Sequence, residues 1–208
     1  MVSQGPRSHH SQNFVLQVHC KAVRALLASL LVLALWCVPS TPAPQRSGQP
    51  QIRIPDLERR IHALINKERT NRKLKPLELE EQLSRVARAH SQDMARRDFF
   101  SHVNPDGEDP TARGTAKGYT CRKIAGNVIT EGLAENIFQG NLYSRIHIRG
   151  TEKSYDWNSS EKIAMEGVTG WMKSPGHREN ILTRTYQKTG MGIAISKNDK
   201  VYVTQLFC

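Results

Sequence analysis

The chain has 208 residues, enough for a single domain with a hydrophobic core, and its formal net charge is +11. A charge of that size raises the question of a nucleic-acid partner, but the basic residues are scattered and no aromatic side chains alternate with them. The composition therefore argues against nucleic-acid binding. It favours a solvated basic surface suited to anionic envelope polymers or lipid headgroups.

The N-terminal segment is predicted to be a leader. Residues 1–50 contain four basic and no acidic side chains, and an apolar run with one serine, Ser29, occupies 25–38. This run is shorter than the about 20 residues that span a bilayer as a helix, so residues 1–44 are read as a secretory signal with cleavage near residues 40–43. Retention as an N-terminal membrane anchor is the alternative. A short polar linker at 45–54 follows, and either reading places the rest of the chain outside the cell.

One domain at 55–208 is expected to begin with two helices. Apolar residues recur at helical spacing over 56–70, after the candidate N-cap Asp56, and again over 78–97. His90 lies on the apolar face of the second helix. We therefore expect a core histidine with one hydrogen bond rather than a ligand.

The middle of the chain is predicted to contain loops and one strand. Turn-forming residues follow the second helix, and His102 opens this loop, where a scaffold commonly presents functional groups. A strand is expected within 127–138, around the sequence Ala134-Glu135-Asn136-Ile137, which places Glu135 on a strand. Residues 141–158 are polar and are read as loop.

Two more helices and a hairpin are predicted after this loop. Apolar spacing indicates a helix over 160–172, and Ser174-Pro175-Gly176-His177 then has the N-cap and first-position residues that start another. His177 falls in the first turn, whose positive end disfavours an imidazolium, so a neutral His177 is expected. Residues 190–196 and 200–207 alternate apolar and polar, which is typical of an antiparallel hairpin.

Two cysteines remain in the predicted domain, Cys121 and Cys208. An exported protein with two cysteines is expected to pair them, and two buried free thiols are the alternative. Asn158-Ser159-Ser160 matches a glycosylation acceptor, on a weak pattern.

Five motifs in order carry a resemblance to a known family. They are Ala89-His90-Ser91-Gln92-Asp93-Met94, Phe99-Phe100-Ser101-His102 with Asn104-Pro105-Asp106-Gly107, Ala134-Glu135-Asn136-Ile137, Trp171-Met172-Lys173-Ser174-Pro175-Gly176-His177-Arg178, and Val203-Thr204-Gln205-Leu206-Phe207. With these motifs, residues 57–208 resemble a CAP domain (cysteine-rich secretory, antigen 5, pathogenesis-related 1) in its short prokaryotic form. The resemblance implies an α+β fold, a three-layer α-β-α sandwich with a small, mainly antiparallel sheet. Periodicity alone indicates only α+β.

The resemblance also implies a cleft. In the family it is described as two histidines and two glutamates that bind zinc or magnesium in some members, and His102, Glu135 and His177 match three of these positions. Ser174 stands where larger members have the second glutamate, so no fourth residue is assigned. A metal would be held by His102 and His177, with Glu135 as a third candidate, and water would complete an open site. The alternative is a hydrogen-bonded network without metal.

These observations lead to an expectation about function. We expect a monomeric, extracellular or membrane-anchored CAP-domain protein whose cleft binds a lipid, sterol or envelope component, with Zn²⁺ or Mg²⁺ as candidate metals and no assigned catalysis. A metal-assisted hydrolase acting on peptides or envelope polymers is the alternative, and a purely structural surface protein is the third. Serine catalysis is disfavoured because the chain has no Gly-x-Ser-x-Gly elbow.

Overall fold

The computed structural model describes residues 46–208, which form five helices and eight strands. In chain order these elements are α1 (Ile54–Thr70), β1 (Glu78–Leu79), α2 (Glu81–Arg97), α3 (Pro110–Ala116), β2 (Arg122–Ala125), β3 (Val128–Glu131), β4 (Ala134–Asn141), β5 (Tyr143–Arg149), β6 (Glu152–Trp157), α4 (Ser160–Lys173), α5 (Pro175–Leu182), β7 (Lys188–Ile195) and β8 (Lys200–Phe207). None of the helices in this part of the chain has the length and apolar character to span a membrane. The predicted leader lies outside the described residues.

A four-stranded sheet forms the centre of the domain, in the order β1-β7-β8-β4. The predicted C-terminal hairpin is confirmed, because β7 and β8 pair antiparallel from Thr189↔Phe207 to Ile195↔Val201. The other edge of β8 pairs antiparallel with β4, with Glu135 opposite Leu206. Only the short β1 runs parallel to its neighbour, β7.

Helices cover both faces of this sheet, which confirms the three-layer α-β-α sandwich. On one face, Met191 and Ile193 of β7 join a core formed with α1, α4 and α5. On the other face α2 lies directly against β7. A Cβ built on Gly192 would stand 2.1 Å from the backbone nitrogen of Arg88, so this close approach requires glycine.

The first two helices differ from the prediction at their starts. Helix α1 begins two residues earlier than predicted, with a proline in its first turn and Arg53 as the N-cap, so Asp56 is not the cap. Asp56 instead pairs with Arg53 and Arg59. Helix α2 begins at Glu81 because Glu78 and Leu79 are extended and pair with β7.

The prediction of a loop at 141–158 was wrong. Strands β5 and β6 form a separate antiparallel hairpin there. Strands β2 and β3 form a second such hairpin earlier in the chain. Tyr143, Tyr155 and Trp157 form an aromatic cluster at the base of the β5–β6 hairpin, and the guanidinium of Arg46 stacks over Tyr155 and Trp157. The polar composition reflects a hairpin that is solvated on both faces, rather than an absence of strands.

Helix α3 was also missed. Asp109 and Pro110 lie in the stretch predicted to be a loop, but Asp109 is the N-cap of this helix and its carboxylate accepts a hydrogen bond from the backbone nitrogen of Ala112 at 2.8 Å. Proline then occupies the first helical position, where its missing N–H costs nothing.

The cysteine pair and the glycosylation acceptor have clear structural outcomes. Cys121 and Cys208 form a disulfide with a Cα–Cα distance of 5.6 Å, which ties the start of β2 to the end of β8. Asn158 is only 3% exposed, and its side-chain nitrogen donates to the carbonyl of Asn141. The folded domain therefore does not expose this nitrogen for glycosylation.

Candidate functional site

Glu135 lies at the centre of the candidate site. Its side chain is 1% exposed, on β4 beside the central strand β8. One carboxylate oxygen lies 2.9 Å from Nδ1 of His102, and the other lies 2.5 Å from the guanidinium of Arg113. Both oxygens of this buried carboxylate are therefore occupied by protein groups.

Arg113 holds the loop that carries His102. Its guanidinium donates to the backbone carbonyls of His102 at 2.7 Å and Glu108 at 2.8 Å, in addition to Glu135. Sequence reasoning missed this residue, because helix α3 was not predicted. The N-cap aspartate followed by proline, three to four residues before Arg113, was the signal available.

His177 is brought to the same place by a network of amide side chains. It lies at the third position of α5, which begins at Pro175 as predicted. Asn136 donates to the carbonyl of His177 at 3.0 Å, and Asn180 donates to Oδ1 of Asn136 at 2.9 Å. The ring centroids of His102 and His177 are 6.4 Å apart. The three residues matched to the family's cleft thus meet in the fold.

The surroundings of His177 lower its pKa, and the contact of His102 with Glu135 selects the tautomer of His102. Burial and the neighbouring His102 lower the pKa of His177, so His177 is neutral at pH 7. The prediction of a neutral His177 is therefore confirmed. The causes are burial and His102, whereas the sequence pattern indicated the positive end of the helix. At His102, donation from Nδ1–H to the carboxylate leaves the lone pair on Nε2. The His102 side chain is half exposed, so a ligand can approach it.

His90 is confirmed as a core histidine. It is 1% exposed, and its Nε2 lies 3.0 Å from the carbonyl oxygen of Ser101, to which it donates. The same nitrogen is 3.9 Å from Glu135. His90 therefore holds the loop that carries His102 from the buried side of that loop.

A pH-dependent stability is expected from His90. Its pKa is lowered, chiefly by burial. The native state therefore resists protonation that the unfolded chain accepts below about pH 6.5. Stability is full above that pH and declines as pH falls toward the folded-state pKa. We expect His90→Gln, which keeps a donor for Ser101, to show a shallower loss of unfolding free energy between pH 8 and pH 5 in urea titrations. Parallel profiles for the two proteins would contradict this.

The cleft contains few side chains that could bind a metal ion. Within residues 46–208, no group of three or more His, Cys, Asp or Glu side chains is arranged to hold a metal ion. Glu135 does not fit as a third ligand, because both of its oxygens are already bound. The imidazoles of His102 and His177 are donor types that zinc accepts, and water would have to complete such an open centre. The carboxylate behind His102 has the position of a group that orients a metal-binding histidine.

The fold and the site together define a class of protein: a three-layer α-β-α sandwich in which a buried glutamate joins two histidines near one edge strand of the sheet. The chain belongs to the CAP family. The sequence model described as "Cysteine-rich secretory protein family" matches residues 62–207. The resemblance inferred from the five motifs is therefore confirmed.

Individual relatives agree with this assignment. The chain is 33% identical over 135 residues to the "Uncharacterized protein YkwD" of Bacillus subtilis, covering 65% of this chain and 41% of that protein. It is 29% identical over 150 residues to the "Uncharacterized membrane protein YlbC" of the same organism, covering 72% and 34%. The chain thus spans less than half the length of these curated relatives.

Solved structures show the same fold. An extracellular protein containing an SCP domain from Bacillus anthracis superposes with a TM-score of 0.50 at 23% identity, covering 74% of this chain and 40% of that one. An outer surface protein from Borrelia burgdorferi gives a TM-score of 0.54 at 16% identity, covering 76% and 96%. These similarities establish the architecture.

Proposed function

We propose that this chain is an exported or surface-held CAP-domain protein that binds its ligand at the cleft of His102, Glu135 and His177, with a zinc ion held by the two histidines. The observation that carries the proposal is the chain of contacts from Arg113 through Glu135 to His102. Burying the Arg113–Glu135 ion pair costs free energy. Orienting the metal-binding nitrogen of His102 is a function that would account for this cost.

Each cleft residue has a defined part in this proposal. Glu135 accepts from Nδ1–H of His102 and so directs the Nε2 lone pair to the metal. His177 supplies a neutral ring. His102 and His177 would hold the zinc, since their ring centroids are 6.4 Å apart and the His102 side chain is half exposed. When bound, zinc would act as a Lewis acid toward an oxygen of the ligand.

Zinc is favoured over magnesium by the available donors. Magnesium prefers carboxylate and other oxygen ligands in octahedral geometry. In this cleft the carboxylate is that of Glu135, and each of its oxygens already accepts a hydrogen bond, from His102 or from Arg113. The two imidazoles, in contrast, are donors that zinc accepts readily.

The surroundings of the cleft support a ligand with apolar parts. Phe100 and Val103 flank His102 in sequence, and each is 47% exposed. Such side chains suit a lipid, sterol or envelope component better than a fully polar ligand. The disulfide between Cys121 and Cys208 supports an oxidising, extracellular location, as do relatives described as extracellular or outer surface proteins.

The decisive experiment is a calorimetric zinc titration of the purified full chain with its disulfide intact. We expect one site lost in both His102→Ala and His177→Ala, and an affinity about 10–100-fold weaker in Glu135→Gln, because the orienting carboxylate is gone. The double variant His102→Ala/His177→Ala measures any zinc binding outside the cleft, for example at His9, His10 or Cys20. Its binding signal is subtracted from that of the wild type.

His147 provides a matched control. It is also half exposed, and its Nε2 lies 3.0 Å from the carboxylate of Asp156. His147→Ala should leave zinc binding unchanged. No difference between the wild type and the double variant would overturn the metal proposal, and binding that needs only one histidine would place the metal elsewhere.

A metal-assisted hydrolase is the second candidate. A buried glutamate hydrogen-bonded to a half-exposed histidine is also an arrangement for general-base catalysis. Hydrolysis of peptides or envelope polymers that disappears in His102→Ala would favour this candidate. Saturable lipid binding that survives the same substitution would favour a binding protein.

A further inference from the structure

A second concave surface, lined by residues outside the histidine cleft, lies where the loop after α1 meets the segment before β7. Two open cavities of about 580 and 390 Å³ share Gln187 as a lining residue. We call them together the basic groove. The six basic residues that line it are Lys73, Lys75, Arg184, Arg122, Lys123 and Lys188, against one acidic lining residue, Glu78.

Much of this positive charge has no counter-ion in the folded domain. Arg122 pairs with Glu131 at 3.7 Å, and Lys188 pairs with Glu80 at 2.6 Å. Lys73, Lys75 and Arg184 form no ion pair within residues 46–208. They supply the unpaired surface cations of the groove.

Lys123 is a cation held against the wall of the groove. Its ammonium donates to the carbonyl of Gly132 at 2.5 Å and lies 5.2 Å from the ring centroid of Tyr186. Burial lowers its pKa. No carboxylate among the described residues pairs with it, so part of its charge remains available to an anion.

Arg69 adds a buried charge beneath the same surface. It is 1% exposed, and its partners among the described residues are all backbone carbonyls. Two of these carbonyls belong to residues that line the first cavity, Lys75 at 2.9 Å and Tyr186 at 3.3 Å. A buried guanidinium without a carboxylate partner is costly. Its field adds to that of the surface cations, and its hydrogen bonds fix the segments of Lys75 and Tyr186 relative to each other.

We propose that the basic groove binds an extended polyanion, a flexible polymer that carries phosphate or carboxylate groups at regular intervals. The cations are spread along two neighbouring open cavities that share Gln187, instead of converging on one point. Such a distribution favours a chain of anionic groups over a single small anion. This interaction is independent of the ligand at His102 and His177.

The test uses the full chain and labelled long-chain polyphosphate and poly-L-glutamate, with binding followed by fluorescence anisotropy at several salt concentrations. The variant Lys73→Glu/Lys75→Glu/Arg184→Glu should bind at least about tenfold more weakly and with a smaller salt dependence. The control Arg85→Glu/Arg149→Glu/Lys197→Glu changes the net charge equally at exposed positions outside the groove. It should lose less than about twofold.

The outcomes separate this proposal from the one above. His102→Ala should bind both polymers like the wild type, and inorganic phosphate should compete weakly. Equal loss in the two charge-reversal variants, with unchanged circular dichroism, would show that only net charge matters and would overturn the groove. Absence of polymer binding would overturn it too, as would binding restricted to vesicles of anionic phospholipid.

Discussion

Replacing Glu135 with alanine should lower the free energy of unfolding by about 3–5 kcal/mol, because it removes the counter-ion of a buried arginine. The side chain of Arg113 is only 7% exposed, and within residues 46–208 it would keep just the carbonyls of His102 and Glu108 as partners. The loss should appear in urea or guanidinium unfolding at pH 7.

Glu108 offers a matched control for that substitution. Arg113 binds only the backbone of Glu108, whose carboxylate accepts a hydrogen bond from Asn104 at 2.8 Å. Glu108→Ala should therefore cost only about 1 kcal/mol. A Glu135→Ala variant no less stable than Glu108→Ala would mean that the carboxylate does not compensate Arg113. A double-mutant cycle with Arg113→Ala would measure the coupling directly.

The second large effect is expected from the disulfide. Cys121 and Cys208 are separated by 87 positions, and the double variant Cys121→Ser/Cys208→Ser should lose about 4–5 kcal/mol of unfolding free energy in the chain-entropy model. The physical reason is that the unfolded chain regains the freedom that a closed loop removes.

Reductant supplies the control for this prediction. Dithiothreitol should destabilise the wild type to the level of the serine variant in chemical denaturation, and should leave the variant unchanged. Equal unfolding free energies for the oxidised wild type and the variant would contradict the prediction.

The parts of the fold that sequence predicted are those whose residue pattern records contact with the core. The apolar spacing that led to α1, α2 and α4 marks one buried face of each helix. Strands β7 and β8 are buried on both faces, and their alternation arises because small or polar residues such as Gly192 and Thr204 face α2. The positions of Glu135 on a strand and His177 in a first helical turn followed from local motifs in the same way.

The parts that sequence missed depend on contacts made elsewhere in the chain. The β5–β6 hairpin has little apolar surface, and its aromatic base is covered by Arg46, which precedes Tyr155 by 109 positions. In the sequence Arg113 resembles an ordinary surface arginine, because its contact with Glu135 is made only in the fold. The proposal that Glu135 orients His102 instead of binding the metal itself depends on that same pair.

The position of β8 has a consequence for the order of events when the protein is made. This strand lies between β7 and β4, and its residue Leu206 stands opposite Glu135. The edge strand that carries the glutamate therefore has no neighbour until residues 200–207 are available. Neither the complete sheet nor the histidine cleft can assemble before residues 200–207 have left the ribosome or crossed a membrane. A chain threaded unfolded through a translocation channel would therefore form the cleft only on the far side.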